Sequence, residues 1–212
     1  MYLITTPWWL RAFYPSFRWS YETNNKELYL TFDDGPHPEA TPFLLDELKK
    51  YNAKATFFCI GKNVVAHPDI YQRIIEDGHR TGNHTFNHLN GWKTDNKTYI
   101  DNVFEAAKFI DSDLFRPPYG RISKFQAKLL QKQRQITFPA SPLKIIMWSV
   151  LSGDFDTKLS PEKCLNNVIL NAKPGAVIVF HDSAKAWERL QYAMPRVLEY
   201  FSERGYAFKA IN

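Results

Sequence analysis

Two periods of apolar spacing alternate along this chain. Short β-type runs are separated by stretches in which apolar residues recur every three or four positions. Residues 27–32 read as a strand. Thr41-Pro42 then reads as a helix N-cap followed by proline at the first helical position, with Leu44, Leu45, Leu48 and Tyr51 on one face. Residues 55–60 are a continuous apolar run of the buried-strand kind. Pro68 opens a second helix carrying Ile70, Ile74 and Ile75, and Gly78 ends it. A short strand is expected at 79–83, and Ile100, Val103, Phe104, Ala107 and Ile110 recur at helical spacing.

Residues 114–116 form a short strand before Pro117-Pro118, where the backbone must extend or turn. Residues 123–132 are helical in pattern, and 135–144, with Pro139 and Pro142, read as an irregular insertion. A buried strand follows at 145–150. Ser160-Pro161 caps a helix with Cys164, Leu165, Val168 and Ile169 inward, and Lys173-Pro174-Gly175 turns into a strand at 176–180. Leu190, Met194, Val197, Leu198 and Phe201 mark the last long helix, Gly205 stops it, and 206–210 closes with a short strand. Strand and helix taking turns over the whole length predicts an α/β fold with a parallel sheet. Six or seven strands approach a barrel but fall short of the usual eight or so, and an open doubly wound sheet is the alternative.

With no internal repeat and no low-complexity linker, the 212 residues read as one domain, 1–212. Residues 1–26 are an aromatic extension packed on it. Trp8, Trp9, Phe13, Tyr14, Phe17 and Trp19 could instead touch a membrane surface, but covering the domain's edge is the reading adopted. The composition is that of a globular protein, and the net charge of +5 comes without a Lys/Arg run, which argues against nucleic acid as a partner. Cys59 and Cys164, the two cysteines, have neither disulfide-framework nor zinc-finger spacing. No stretch reaches the roughly 20 apolar residues of a transmembrane helix, and residues 1–10 lack the basic leader of a signal peptide. A cytoplasmic location is therefore expected; the oligomeric state is not legible.

Chemistry gathers where strands end. Asp33 and Asp34 follow the first strand, His84 the third, Arg116 the fourth, Asp154 the fifth and His181 the sixth. The C-terminal ends of parallel strands share one face, where sites are built. Two adjacent carboxylates repel unless a positive charge sits between or beside them. His84-Thr85-Phe86-Asn87-His88 offers two imidazoles at i and i+4, about 6 Å apart on one face of a helical turn. A pair of structural histidines is the plain reading of that spacing alone. With one carboxylate of the aspartate pair it becomes a two-imidazole, one-carboxylate set for a single divalent ion, zinc first, with cobalt, nickel or iron also suited.

Thr31-Phe32-Asp33-Asp34-Gly35-Pro36, His84-Thr85-Phe86-Asn87-His88 and Arg116-Pro117-Pro118-Tyr119-Gly120, in that order, resemble the polysaccharide deacetylases, the chitooligosaccharide-deacetylase homology domain of carbohydrate esterase family four. The resemblance runs from about residue 28 to residue 208. It implies a distorted (β/α) barrel of about seven parallel strands and metal-dependent removal of acetyl groups from N-acetylated sugars or oligosaccharides. Carried over, it makes Asp33 the general base, with Asp34, His84 and His88 the metal ligands. Arg116 becomes the bidentate clamp on the base, and the Tyr119 backbone N–H a donor to the oxyanion. His181 would be the general acid and Asp154 its orienting partner. Val179, Phe155 and Pro118 would border the substrate, with Val179 standing where the family has a leucine beside the acetyl methyl.

The chain departs from the family at 151–155, Leu-Ser-Gly-Asp-Phe, where the pattern is D-x-x-D-W. Leu151 replaces the first carboxylate and Phe155 the tryptophan. His37, His67 and His79 match no ligand position, and Asp156 and Asp182 could serve only behind the site. Hydrolysis of O-acetyl esters or of non-sugar amides or imides is the alternative activity. A metal- or glycan-binding module without catalysis is the alternative of another class, and the intact Asp33, Arg116 and His181 argue against it.

Overall fold

The computed structural model describes residues 2–132 and 142–212. The strands are β1 (Glu27–Asp33), β2 (Thr56–Cys59), β3 (Arg80–Asn83), β4 (Leu114–Phe115), β5 (Lys144–Ile145), β6 (Val150–Leu151), β7 (Val177–His181) and β8 (Ala207–Phe208). The helices are α1 (Trp8–Phe13), α2 (Ala40–Lys50), α3 (Gly61–Ala66), α4 (Pro68–Glu76), α5 (Asn96–Ala107), α6 (Lys124–Lys132), α7 (Pro161–Ile169) and α8 (Trp187–Ser202). The strands pair in parallel in the order β5-β4-β3-β2-β1-β7-β6, and β8 lies beside the start of β1. This is the distorted α/β barrel that the sequence predicts. Most of the insertion expected at 135–144 lies outside the described residues.

Alternation along β1 divides its two faces. Leu28, Leu30 and Phe32 point to the helices and pack with Leu44 and Leu48 of α2 and Leu190, Met194 and Val197 of α8. Each such side chain contributes about 1.5–3 kcal/mol on burial. Tyr29, Thr31 and Asp33 take the opposite face, the barrel interior, where Tyr29 meets a smaller cluster of Phe58, Leu114, Ile146 and Val177. The central strand is thus apolar on one side and graded on the other, from aromatic at its start to charged at its C-terminal end.

Two predicted boundaries shift. α2 begins at Ala40, so Thr41 is inside the helix and not its cap. The His37 ring takes the capping part, with Nδ1 accepting from the N–H groups of Glu39 and Ala40. The strand expected at 145–150 is two strands at opposite edges of the sheet, β5 on β4 and β6 on β7. Between them the Ile146 and Met147 carbonyls accept from the Arg116 side chain, so they are lost to a ladder.

That crossing leaves a seam between the edge strands, and the N-terminal segment fills it. Arg18 pairs with Ile146, its N–H donating to Ile145 O at 2.9 Å and its carbonyl accepting from Met147 N at 2.7 Å. Thr5 pairs antiparallel with Val150, and Ser20 with Ala176 at the entrance to β7. Phe17 and Trp19 are buried there, whereas Trp8, Trp9 and Phe13 of α1 stay exposed. Among the described residues no helix is long and apolar enough to cross a membrane.

Gly175 sits where this segment meets β7. Its φ is +78°, a Cβ on it would lie 1.8 Å from the Tyr21 carbonyl oxygen, and its own carbonyl accepts from Tyr21 N–H at 2.8 Å. Gly175→Ala should cost about 2–3 kcal/mol, read as a lower urea midpoint at unchanged slope; an unaltered midpoint would show that the segment does not hold the seam.

Candidate active site

At the C-terminal end of β1 the backbone separates the two carboxylates. Asp33 completes the strand and points into the barrel, almost fully buried, while Asp34 takes a φ of +84° and turns away. Asn63 Nδ2 donates to the Asp34 carbonyl at 2.7 Å. Behind the turn, Asp182 Oδ1 accepts from Gly35 N–H at 2.9 Å and Oδ2 accepts from the Thr41 hydroxyl at 2.6 Å. A Cβ on residue 35 would fall 1.9 Å from Asp182 Oδ2, so the turn and this carboxylate require glycine between them. Burial raises the Asp182 carboxyl to about 8, the Thr41 bond opposing and the Asp34 charge adding. Asp182 thus supports the site from beneath; its position directly after His181 was the only sequence signal for it.

The Asp33 carboxylate meets Arg116, whose side chain has no solvent exposure. Nη1 donates to Asp33 Oδ1 and to Thr31 Oγ1, both at 2.7 Å; Nε donates to Ile146 O and Nη2 to Met147 O. The bidentate clamp expected from sequence is therefore not formed. The fork's other donors are held by backbone carbonyls, and Asp33 receives its guanidinium contact on one oxygen. Arg116 also lies over the Phe58 ring, 4.1 Å from its centroid.

His84 and His88 do not share a helical turn. They bracket an irregular loop in which Thr85 and His88 have φ of +65° and +57°. Asparagine side chains hold that loop in place of helical bonds. Asn83 Oδ1 accepts from Thr85 N–H at 2.8 Å, and Asn102 Oδ1 accepts from Phe86 and Asn87 N–H. The rings still end 5.2 Å apart, both facing Asp34. His84 Nδ1 lies 2.7 Å from the Arg116 carbonyl. A carbonyl can only accept, so Nδ1 carries the proton and the Nε2 lone pair faces Asp34 Oδ1 at 3.7 Å. Burial lowers the His84 pKa to about 4, which keeps the ring neutral. His88 Nε2 is 3.1 Å from the same oxygen.

Asp34 Oδ1 is buried and has no hydrogen-bond partner in good geometry. Burial works against its ionisation, but the close His88 contact and the charges of His181, His84 and His88 prevail and hold its pKa below the ordinary carboxylate range. Candidate ligand atoms of Asp34, His84 and His88 lie within 4.8 Å of one another. An anionic oxygen without a donor, facing two imidazole nitrogens, fits a divalent cation.

Across the barrel mouth, β7 ends at His181. Its Nδ1 is 2.7 Å from Asp154 Oδ1, and its backbone N–H donates to Asp154 Oδ2 at 2.6 Å. Burial pulls the His181 pKa down; the charge and hydrogen bond of Asp154, then the charges of Asp34 and Asp33, outweigh it and carry it up to about 9. Arg189 of α8, unremarked in the sequence, donates from Nε to the Asp154 carbonyl at 2.7 Å and fixes that loop. Phe155 packs edge-on against His181 at 5.3 Å, and Val179 is buried two residues before it. On the other side Tyr119 has a φ of +60°, and its ring lies 4.6 Å from His88. The turn is closed by Gly120 and Arg121 N–H on Pro117 and Pro118 carbonyls, which leaves the Tyr119 N–H outside it. Pro118 is buried within the turn and shapes it. His79 lies in the core, where burial lowers its pKa to about 4.

A family model described as polysaccharide deacetylase matches residues 20–140. A peptidoglycan-N-acetylglucosamine deacetylase of Bacillus cereus is 31% identical over 92% of this chain and 90% of its own length. A chitooligosaccharide deacetylase of Azorhizobium caulinodans is 30% identical over 89% of this chain and 94% of its own. The chain spans only 38% of a longer Listeria monocytogenes relative, a peptidoglycan-N-acetylglucosamine deacetylase. The crystal structure of a peptidoglycan N-acetylglucosamine deacetylase superposes with a TM-score of 0.85 at 32% identity, covering 97% of this chain and 95% of that one.

Asp154→Asn should lower the His181 pKa from about 9 toward or below neutrality, because the two largest raising contributions go and burial stays. An NMR titration of the ring in metal-free protein checks this, and an unmoved midpoint would remove Asp154 from that role.

Proposed function

Because the chain belongs to the polysaccharide deacetylase family, we propose that its strand-end site is a metal-dependent catalytic centre that removes N-acetyl groups from an acetylated glucosamine-containing glycan. One observation carries the assignment of roles. The two adjacent carboxylates are divided, Asp33 against a buried guanidinium and Asp34 against two imidazoles, and a histidine paired with its own carboxylate stands across from them. A binding site alone has no use for a clamped base and an oriented acid.

Asp34, His84 and His88 would hold the ion, with zinc the first choice for one oxygen and two nitrogen donors and cobalt, nickel or iron also accommodated. Once bound, it supplies Lewis acidity to the acetyl carbonyl and makes water acidic enough to attack at neutral pH. The remaining work falls to the protein. Asp33, kept charged beside Arg116, takes the proton as the water oxygen bonds to the carbonyl carbon. The Tyr119 N–H donates to the oxygen that gains charge as the C=O bond opens. His181 gives its proton to the nitrogen as the C–N bond breaks, releasing acetate and a free amine. Asp154 holds the ring in the tautomer this needs and favours its protonated form before transfer. Val179 and the Phe155 ring border the space next to His181 that the acetyl methyl would use.

Protein stripped with a chelator should release no acetate from N-acetylglucosamine oligomers and recover when zinc is returned. Metal-loaded protein inert toward a panel of acetylated sugars but active on a cyclic imide would overturn the substrate class. Asp33→Asn should retain stoichiometric metal and lose at least roughly a hundredfold in kcat, whereas Asp34→Asn should lose the metal itself. Full activity in Asp33→Asn would exclude it as the base.

A further inference from the structure

A groove of about 370 Å³ lies beneath the N-terminal segment and shares Tyr119 with the catalytic centre. Two rings of its wall link it to that centre, one directly and one through Phe155. Tyr2 packs on Phe155 at 5.0 Å, itself against His181, and Tyr119 packs on His88. Leu151 forms part of its wall, where the family pattern has a carboxylate, and Leu151 N–H is held by the Ile4 carbonyl at 2.8 Å. A carboxylate at 151 would be enclosed by the segment that pairs over it, so the departure at Leu151 and the covering segment belong together.

The walls of this groove are poor in free hydrogen-bonding groups. The Tyr2 hydroxyl donates to Asp156, the Thr6 hydroxyl to Trp148 O, Trp19 Nε1 to Tyr14 O and Trp92 Nε1 to Ile122 O. The hydroxyls of Tyr14 and Tyr119, the Trp148 N–H and Arg121 are what remains, among leucine, proline, methionine and ring carbons. A neighbouring sugar would bring several hydroxyls, each needing a partner, to a mostly apolar wall, whereas a hydrocarbon brings none and gains from contact with the ring and aliphatic carbons. We infer that the groove takes an apolar chain attached to the acetylated sugar, so that the preferred substrate is an N-acetyl sugar carrying a hydrophobic aglycone. The inference rests on the deacetylase reading for what happens to the sugar, but not for the binding of the chain.

Octyl and methyl glycosides of N-acetylglucosamine, the former below its micelle concentration, provide the test. Calorimetry with the metal-stripped protein, which does not turn the glycosides over, should show the octyl glycoside binding at least about tenfold more tightly, a margin that burial of two methylenes would already supply. Leu10→Asp and Trp92→Ala, each altering one residue of the groove wall, should each shrink that ratio to about twofold or less. Equal affinity in the unaltered protein would overturn the inference, as would a ratio that survives both variants. Failure of the metal-loaded protein to hydrolyse either glycoside would count against the deacetylase reading alone, since the affinity ratio is measured without turnover.

Discussion

A guanidinium sealed from water occupies the middle of this barrel, and both the closure of the sheet and the chemistry at its mouth depend on it. Arg116 reaches from the end of β4 to Thr31 and Asp33 on β1 and to the carbonyls of Ile146 and Met147. Its own carbonyl receives the His84 ring. Removing one member of such a buried pair costs about 3–5 kcal/mol, since the other charge is left without solvent or partner. Burial draws the Arg116 pKa down, and the Asp33 charge and hydrogen bond resist it. Through its side chain and its own carbonyl, Arg116 therefore joins Asp33, the tautomer of His84 and the seam of the sheet.

Around that charge the site is assembled from turns that ordinary secondary structure would not provide. Asp34, Thr85, His88 and Tyr119 all have positive φ, an uncommon backbone state for residues with side chains. Side chains hold two of these turns: Asn63 and Asp182 the aspartate turn, Asn83 and Asn102 the histidine loop. These supports are buried or part-buried polar groups with defined partners, which is how a strained backbone persists in one conformation. The strain places candidate ligand atoms from separate strand ends within one small volume.

Much of the fold could be read from the chain because the apolar periods are clear and the strand ends carry the unusual residues. β1, β2 and β7 lie where runs of apolar residues predict them, and the motif residues gather at one face as parallel topology requires. The misreadings share a cause. At 145–150 the residues favour a strand, but the carbonyls belong to Arg116, a demand made from thirty positions away that no local pattern records. At 84–88 the i, i+4 spacing suggests a helical turn, while asparagines outside the segment impose a different one. Asp182, Asn102 and Arg189 look like ordinary polar residues until packing shows what each one holds.

β1 precedes every other strand of the sheet in the chain, yet five strands separate it from its partner β7. Thr31 pairs with Val179, and β8 joins β1 later still. Strands β1 to β4 can line up as the chain lengthens, but one flank of β1 stays open until β7 has been made. High sequence separation between paired strands slows folding and keeps such an edge exposed meanwhile. Thr31, Asp33 and Arg116 all precede β7 in the chain, so the buried ion pair can form before that flank closes. The later strands then complete a sheet whose charged centre is already set.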